Sequence, residues 1–182
     1  FMVLFASEPP DNAESELESG NLDYPLSGEI WTAADWAAQA TKACSRDDVV
    51  LVLKAHPLDD SELIRWKADL LDRVVLTIPI IEGDALSLCA AADIVVGLTS
   101  MLLIEAASLG VPAISVRPTG KEMDGFAQLT MGSIQSAYTI EETIAAVREA
   151  ASTHGTRSRV ARSQYVGATA AVVRLIAEMV GE

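Results

Sequence analysis

Short apolar runs alternate with stretches of helical periodicity along most of this chain, and that alternation restricts the folds open to it. The runs are residues 2–6 (MVLFA), 49–53 (VVLVL), 74–78 (VVLTI), 94–96 (IVV) and 112–116 (PAISV). A continuous apolar run of this length suits a strand covered on both faces, as in a parallel sheet. Between the runs, residues 31–44 carry Ala33, Trp36, Ala37, Ala40 and Cys44 at helical spacing, and residues 60–71 carry Leu63, Ile64, Trp66, Leu70 and Leu71. A short helix is expected over 84–92, and another over 101–109, ended by Gly110. Residues 135–138 read as a last short strand. Thr139-Ile-Glu-Glu142 is a capping box, opening a helix whose Ile144, Val147 and Ala151 face inward and which ends at His154-Gly155. A final helix is expected over 158–180. Strands alternating with helices build βαβ units, so the expected fold class is α/β: a Rossmann-like, three-layer, doubly wound parallel sheet of about six strands. Residues 1–182 form one such domain.

Composition removes several function classes. The chain has 26 Asp and Glu against 13 Lys and Arg, a net charge of −13, which repels nucleic-acid backbones. Half the residues are hydrophobic, too many for a disordered chain. Two cysteines, Cys44 and Cys89, cannot form a disulfide framework and read as buried reduced thiols. Two histidines far apart and two isolated cysteines give no metal-ligand spacing, and His154 reads as complementing a helix C-terminus. Residues 7–29 hold seven acids, no base, and Pro9, Pro10 and Pro25; they read as a long solvated acidic connection. Arg148, Arg157, Arg159, Arg162 and Arg174 are a basic cluster, read as a solvated face that could also dock the acidic connection or a partner. No secretory signal is visible at the start. Gly97, Thr99, Ser100, Glu105, Gly110 and Pro112 break up the longest uncharged stretch into strand, turn, helix, turn and strand, so no transmembrane segment is expected. A soluble, cytoplasmic protein is the expectation. Phe1 directly before Met2 suggests a piece of a longer protein.

In a doubly wound sheet, ligands sit beyond the carboxyl ends of the strands. Two turns there carry chemistry. After 94–96 come Gly97, Leu98, Thr99 and Ser100, then a helix. Gly97 permits a tight turn or close backbone approach. Thr99 and Ser100 sit where free N–H groups and hydroxyls open a helix, a place suited to a phosphate or diphosphate, although either hydroxyl could simply cap the helix. Glu105 is the lone charge between Asp93 and Arg117, on a helix apolar on every side. It reads as a buried carboxylate, satisfied by the vicinal hydroxyls of a ribose or by an internal partner. After 49–53, Pro57 ends the strand, and Lys54 and His56 project on one side of the carboxyl edge, where they could meet a phosphate. His56 could also act as acid or base, or merely pack in the loop.

Lys54-Ala-His-Pro57 and the string from Ala92-Asp93 through Ser100, Glu105-Ala106, Gly110 and Pro112 resemble the C-terminal half of GT-B-type glycosyltransferases. Close relatives of these are the UDP-N-acetylglucosamine 2-epimerase-like proteins and surface-polysaccharide or teichoic-acid-type transferases. The resemblance covers roughly residues 47–155. It implies a nucleotide-diphosphate sugar as substrate, UDP-linked among the possibilities, with no cofactor and no metal. Thr99 and Ser100 would contact the diphosphate, with Gly97 and Lys54 alongside. Glu105 would hold the ribose, and His56 would lie by the phosphates or the transferred group as the catalytic residue. The turn around Ile78-Pro79 would lie beside the base. Arg117 or Lys121 would supply further positive charge. The implied partner is an amino-terminal acceptor domain, without which this half is inactive. Three readings follow: the donor half of a transferase in cell-surface polysaccharide biosynthesis, working in the cytoplasm or at the inner face of the membrane; a nucleotide-sugar 2-epimerase-like domain, with Glu105, Glu82 or Asp84 as proton carriers; or a non-catalytic interaction module.

Overall fold

The computed structural model describes residues 1–8, 28–44, 46–119 and 134–153. Six strands form one sheet: β1 (Met2–Ala6), β2 (Val50–Lys54), β3 (Thr77–Ile80), β4 (Ile94–Gly97), β5 (Ala113–Val116) and β6 (Gln135–Ala137). Their order is β3-β2-β1-β4-β5-β6, and every neighbouring pair is parallel. Five helices accompany them among the described residues: α1 (Gly28–Lys42), α2 (Ser61–Leu71), α3 (Ala85–Ala91), α4 (Met101–Ser108) and α5 (Ile140–Ser152). The α/β doubly wound fold is therefore the one expected from the sequence.

The apolar strands sort their side chains by parity, as a pleated strand must. Val3, Phe5, Leu51, Leu53, Ile94 and Val96 pack under α1, α2 and α5, whereas Leu4, Ala6, Val52 and Val95 pack against Cys89 of α3 and Leu103 and Ala106 of α4. Both faces are thus covered, and this explains why the strands lack polar alternation. In α1 the inward stripe is largely alanine, at positions 33, 34, 37, 38 and 40, which lets the helix lie close to the sheet and to α5.

Most boundaries agree with the sequence within a residue or two; β3 does not. The run 74–78 is strand-like in composition, yet Val74 and Val75 close the end of α2 by donating to Leu71 O at 2.8 and 3.1 Å. The strand starts only at Thr77. Pairing follows from Leu51 N–H to Leu76 O (2.9 Å) and Ala55 N–H to Ile80 O (3.0 Å), so Thr77 and Pro79 turn their backbone away from β2. The Thr77 N–H donates to Asp72 Oδ1 at 2.9 Å, and Pro79 has no N–H to offer.

Caps fix the helix starts. Asp84 accepts from the Leu86 and Ser87 N–H groups at α3, and Ser100 from Leu102 N–H at α4. Thr139 accepts from Glu142 N–H at 3.2 Å, while the Glu142 carboxylate reaches past the cap to Tyr138 N–H at 2.6 Å. That is the expected capping box shifted by one residue on its return arm. After α4, Gly110 takes φ of 72°, the left-handed conformation that ends the helix as expected. Most of the acidic connection, His154 and the helix expected over 158–180 lie outside the described residues. Among the described residues no helix is long and apolar enough to cross a membrane.

Candidate functional site

The strand order reverses between β1 and β4. From β1 the chain winds outward to β2 and β3, and from β4 outward to β5 and β6. Loops leaving such a pair diverge, and the crevice between them is where doubly wound sheets bind ligands. Here it receives Ser7 and Glu8 from β1 and Gly97, Leu98, Thr99 and Ser100 from β4, with Ala55 and His56 after the neighbouring β2.

Gly97 packs closely on β1. A Cβ there would stand 3.2 Å from Ala6 O and 3.4 Å from Ala6 Cβ, so a side chain would need the β1 backbone to give by a few tenths of an ångström. Beyond it, the Ser115 hydroxyl donates to Leu98 O at 2.5 Å and fixes the turn from below. The two hydroxyls that follow divide their work. Ser100 is the N-cap of α4, with its Oγ accepting from Leu102 N–H at 3.3 Å. Thr99 instead presents donors to the crevice. Its N–H donates to Glu8 Oε1, and its Oγ1 donates to Glu8 Oε2 at 2.7 Å. The turn before α4 therefore holds an anionic oxygen pair supplied by the chain itself. The positive end of the helix dipole favours the same charge. Ser7 Oγ, buried at the start of the same loop, has no hydrogen-bond partner.

His56 is half-buried in a tight turn. Its N–H donates to Asp59 Oδ2 at 2.9 Å, its carbonyl accepts from Asp59 N–H at 2.9 Å, and its Nδ1 accepts from Leu58 N–H at 3.1 Å. An accepting Nδ1 places the hydrogen of the neutral ring on Nε2. The imidazole is thereby set up to donate from Nε2. Accepting a proton at Nδ1 would break the bond from Leu58.

Four site residues stand differently from expectation. Lys54 does not project as an edge cation: it is 7% exposed, and its Nζ donates to the carbonyls of Ala55 (3.0 Å) and Ile81 (3.2 Å). The strand runs one residue further than expected, so Lys54 lies within β2 and its ammonium ties two carboxyl-edge loops together. Glu105 is half-buried rather than fully buried, because α4 fully buries only Leu103 and Ala106, with Leu102, Ile104 and Ala107 partly buried beside them and Met101 60% exposed. Its charge lies near Cys89 and, behind the larger effect of burial, helps push that thiol up to about 11. Ile78 and Pro79 belong to β3 itself, and the turn at its carboxyl end runs through Ile81, Glu82, Gly83 and Asp84. Asp84 is engaged as the α3 cap, and bonds from the Ser87 hydroxyl and backbone hold its carboxyl below the usual range. Arg117 is buried directly after β5, with its N–H on Ala137 O at 2.7 Å. Lys121 lies outside the described residues. Of the thiols, Cys89 is buried and Cys44 half-buried.

Two charged residues were not singled out in the sequence. Asp59 has a fully buried side chain, and Lys67 of α2 is 2% exposed with its Nζ 3.7 Å from Asp59 Oδ1. Burial lowers the Lys67 pKa, and the Asp59 carboxylate opposes the shift. The signal was present: Lys67 falls on the inward stripe made by Ile64, Ala68 and Leu71, where a lysine is out of place without a partner. A cleft of about 200 Å³ lined by Ile94, Pro112, Gln135 and Glu149 lies at the amino-terminal edge of the sheet, far in the fold from these groups.

The sequence pattern described as UDP-N-acetylglucosamine 2-epimerase matches residues 32–179, most of the chain. No curated protein matches it. The match begins before β2 and runs through β4, the Thr99 turn, α4 and α5, so it includes the residues from which the crevice is built, apart from Ser7 and Glu8. The chain therefore belongs to the UDP-N-acetylglucosamine 2-epimerase family.

Proposed function

We propose that this domain binds a nucleotide-diphosphate sugar, a UDP-sugar first among them, with the diphosphate on the Thr99 turn. The observation that carries the reading is the grip of Thr99 N–H and Oγ1 on the two Glu8 oxygens. Donors arranged for a carboxylate also suit a phosphate, and they open α4 at the strand-order reversal. On binding, Glu8 leaves and a phosphate takes its place. The Nε2–H of His56, at the next strand end, donates to the same diphosphate. A hydrogen-bond donor aimed at a departing diphosphate stabilises the charge that develops as the sugar bond breaks. His56 thus serves as a donor rather than a general base, because Leu58 N–H occupies the lone pair of Nδ1. Glu105 is left to the ribose hydroxyls, and the 81–84 turn to the base.

Family membership favours a 2-epimerase-type reaction, in which a second domain closes over the crevice and supplies part of the proton-moving machinery. The donor half of a GT-B transferase in cell-surface polysaccharide biosynthesis would use the same diphosphate step, in the cytoplasm or at the inner face of the membrane. Calorimetric titration with UDP, CDP, GDP and ADP tests the shared step. UDP is expected to bind most tightly, and Thr99→Val to weaken it about tenfold, the worth of one charge-assisted hydrogen bond. Absence of heat with all four nucleotides, in the wild type and in Glu8→Ala alike, would instead favour the non-catalytic interaction module.

A further inference from the structure

The Asp59–Lys67 pair is poorly explained as a source of stability. Both groups are buried, their closest atoms are 3.7 Å apart, and neither Asp59 Oδ1 nor Lys67 Nζ completes a hydrogen bond. A buried pair with unmet hydrogen-bonding capacity returns little of what its desolvation costs. What the pair does have is a link to the crevice. The other oxygen of Asp59 accepts the His56 N–H, and Asp59 N–H closes the turn on the His56 carbonyl. The same turn carries Leu58 N–H onto His56 Nδ1. Lys67 comes from the middle of α2, a rigid element seated on the core, so the chain of contacts runs from helix to carboxylate to loop to imidazole.

We infer that Asp59 and Lys67 are a buried positioning pair for His56: Lys67 holds the carboxylate of Asp59 beneath the 56–59 turn, and Asp59 holds that turn in the form that keeps the imidazole hydrogen on Nε2. The inference rests on the reading of His56 as a donor to the diphosphate, but its test does not need a nucleotide. Neither residue touches the ligand; both act through the turn.

The chain has two histidines, so its ring nitrogen spectrum is simple, and His154→Gln assigns the signals of His56. Long-range proton–nitrogen correlation of the ligand-free protein, above the pH at which the ring is charged, is expected to show His56 as the Nε2–H tautomer alone. Asp59→Ala/Lys67→Met removes both buried charges together and so avoids stranding either one. In it, His56 is expected to show both tautomers while the melting temperature is kept. Asp59→Asn/Lys67→Met retains an oxygen for the His56 N–H and is expected to restore the single tautomer. Should the Asp59→Ala/Lys67→Met protein fold with His56 wholly in the Nε2–H form, the positioning role is wrong. UDP affinity, read separately, is expected to fall about tenfold in that variant and to recover in Asp59→Asn/Lys67→Met. If the tautomers behave as stated and UDP does not bind the wild type, the nucleotide reading fails and the positioning pair stands.

Discussion

Thr99 and Glu8 are 91 positions apart, and their contact makes one residue's removal informative in an unusual direction. Deleting a carboxylate that competes with the ligand should strengthen binding. Glu8→Ala is therefore expected to raise UDP affinity by about three- to tenfold in calorimetry at low salt, the range spanned by losing a charge-assisted contact that must otherwise be broken. Cys89 offers a test with a different readout. Its thiol is pushed up to about 11 by burial and then by Glu105, against an ordinary value of 9.0. The folded state therefore holds this proton more firmly than the unfolded chain. That stability is fully present below about pH 9 and is lost as pH climbs towards 11. The melting temperature of the wild type is expected to fall more steeply over that interval than that of Cys89→Ala. At this scale the sequence was legible for position: His56 and Thr99 lie just beyond the ends of β2 and β4, where the apolar runs place them. It was not legible for Glu8, because nothing distinguishes one acid among seven in residues 7–29 until the strand order brings it to Thr99.

The elements obey local rules except where two rules overlap. β2, β4 and β5 were readable because each apolar run is bounded by turn residues and covered on both sides. β3 was misplaced because Val74 and Val75 have strand composition but are used to close α2, a choice made by the hydrogen bonds to Leu71 O. α4 was read as buried on all sides from its apolar sequence, yet a helix of eight residues lying on β4 and β5 fully buries only the side that meets the sheet. Caps were the most dependable of the local signals. Thr139 holds Glu142 N–H and, with the Glu142 carboxylate on Tyr138 N–H, sets the start of α5. α5 in turn packs on α1. Thr139→Ala is expected to lower unfolding free energy by about 1 kcal/mol in urea titration, with the slope of the transition unchanged.

For the whole molecule, the order β3-β2-β1-β4-β5-β6 creates the crevice, since it brings the loops after β1 and β4 together. The alternation of strands and helices implied a parallel sheet but not which strand is central; that depends on pairings between β1 and β4, which are distant in sequence. Net charge acts at the same scale. A chain of net charge −13 repels an anionic nucleotide at long range. Raising ionic strength from about 0.02 to 0.15 M shortens the Debye length to about 8 Å and should raise the association rate of UDP in stopped-flow measurements, the reverse of what a basic cleft would give. The outer edge of β3 has a consequence of its own. The two backbone positions that face outward there are Thr77, whose N–H is already given to Asp72, and Pro79, which has none. A strand arriving from another molecule would find no donor to pair with. At this edge of the sheet one carboxylate and one proline remove the donors, so filaments seeded by strand addition lack half of their template there.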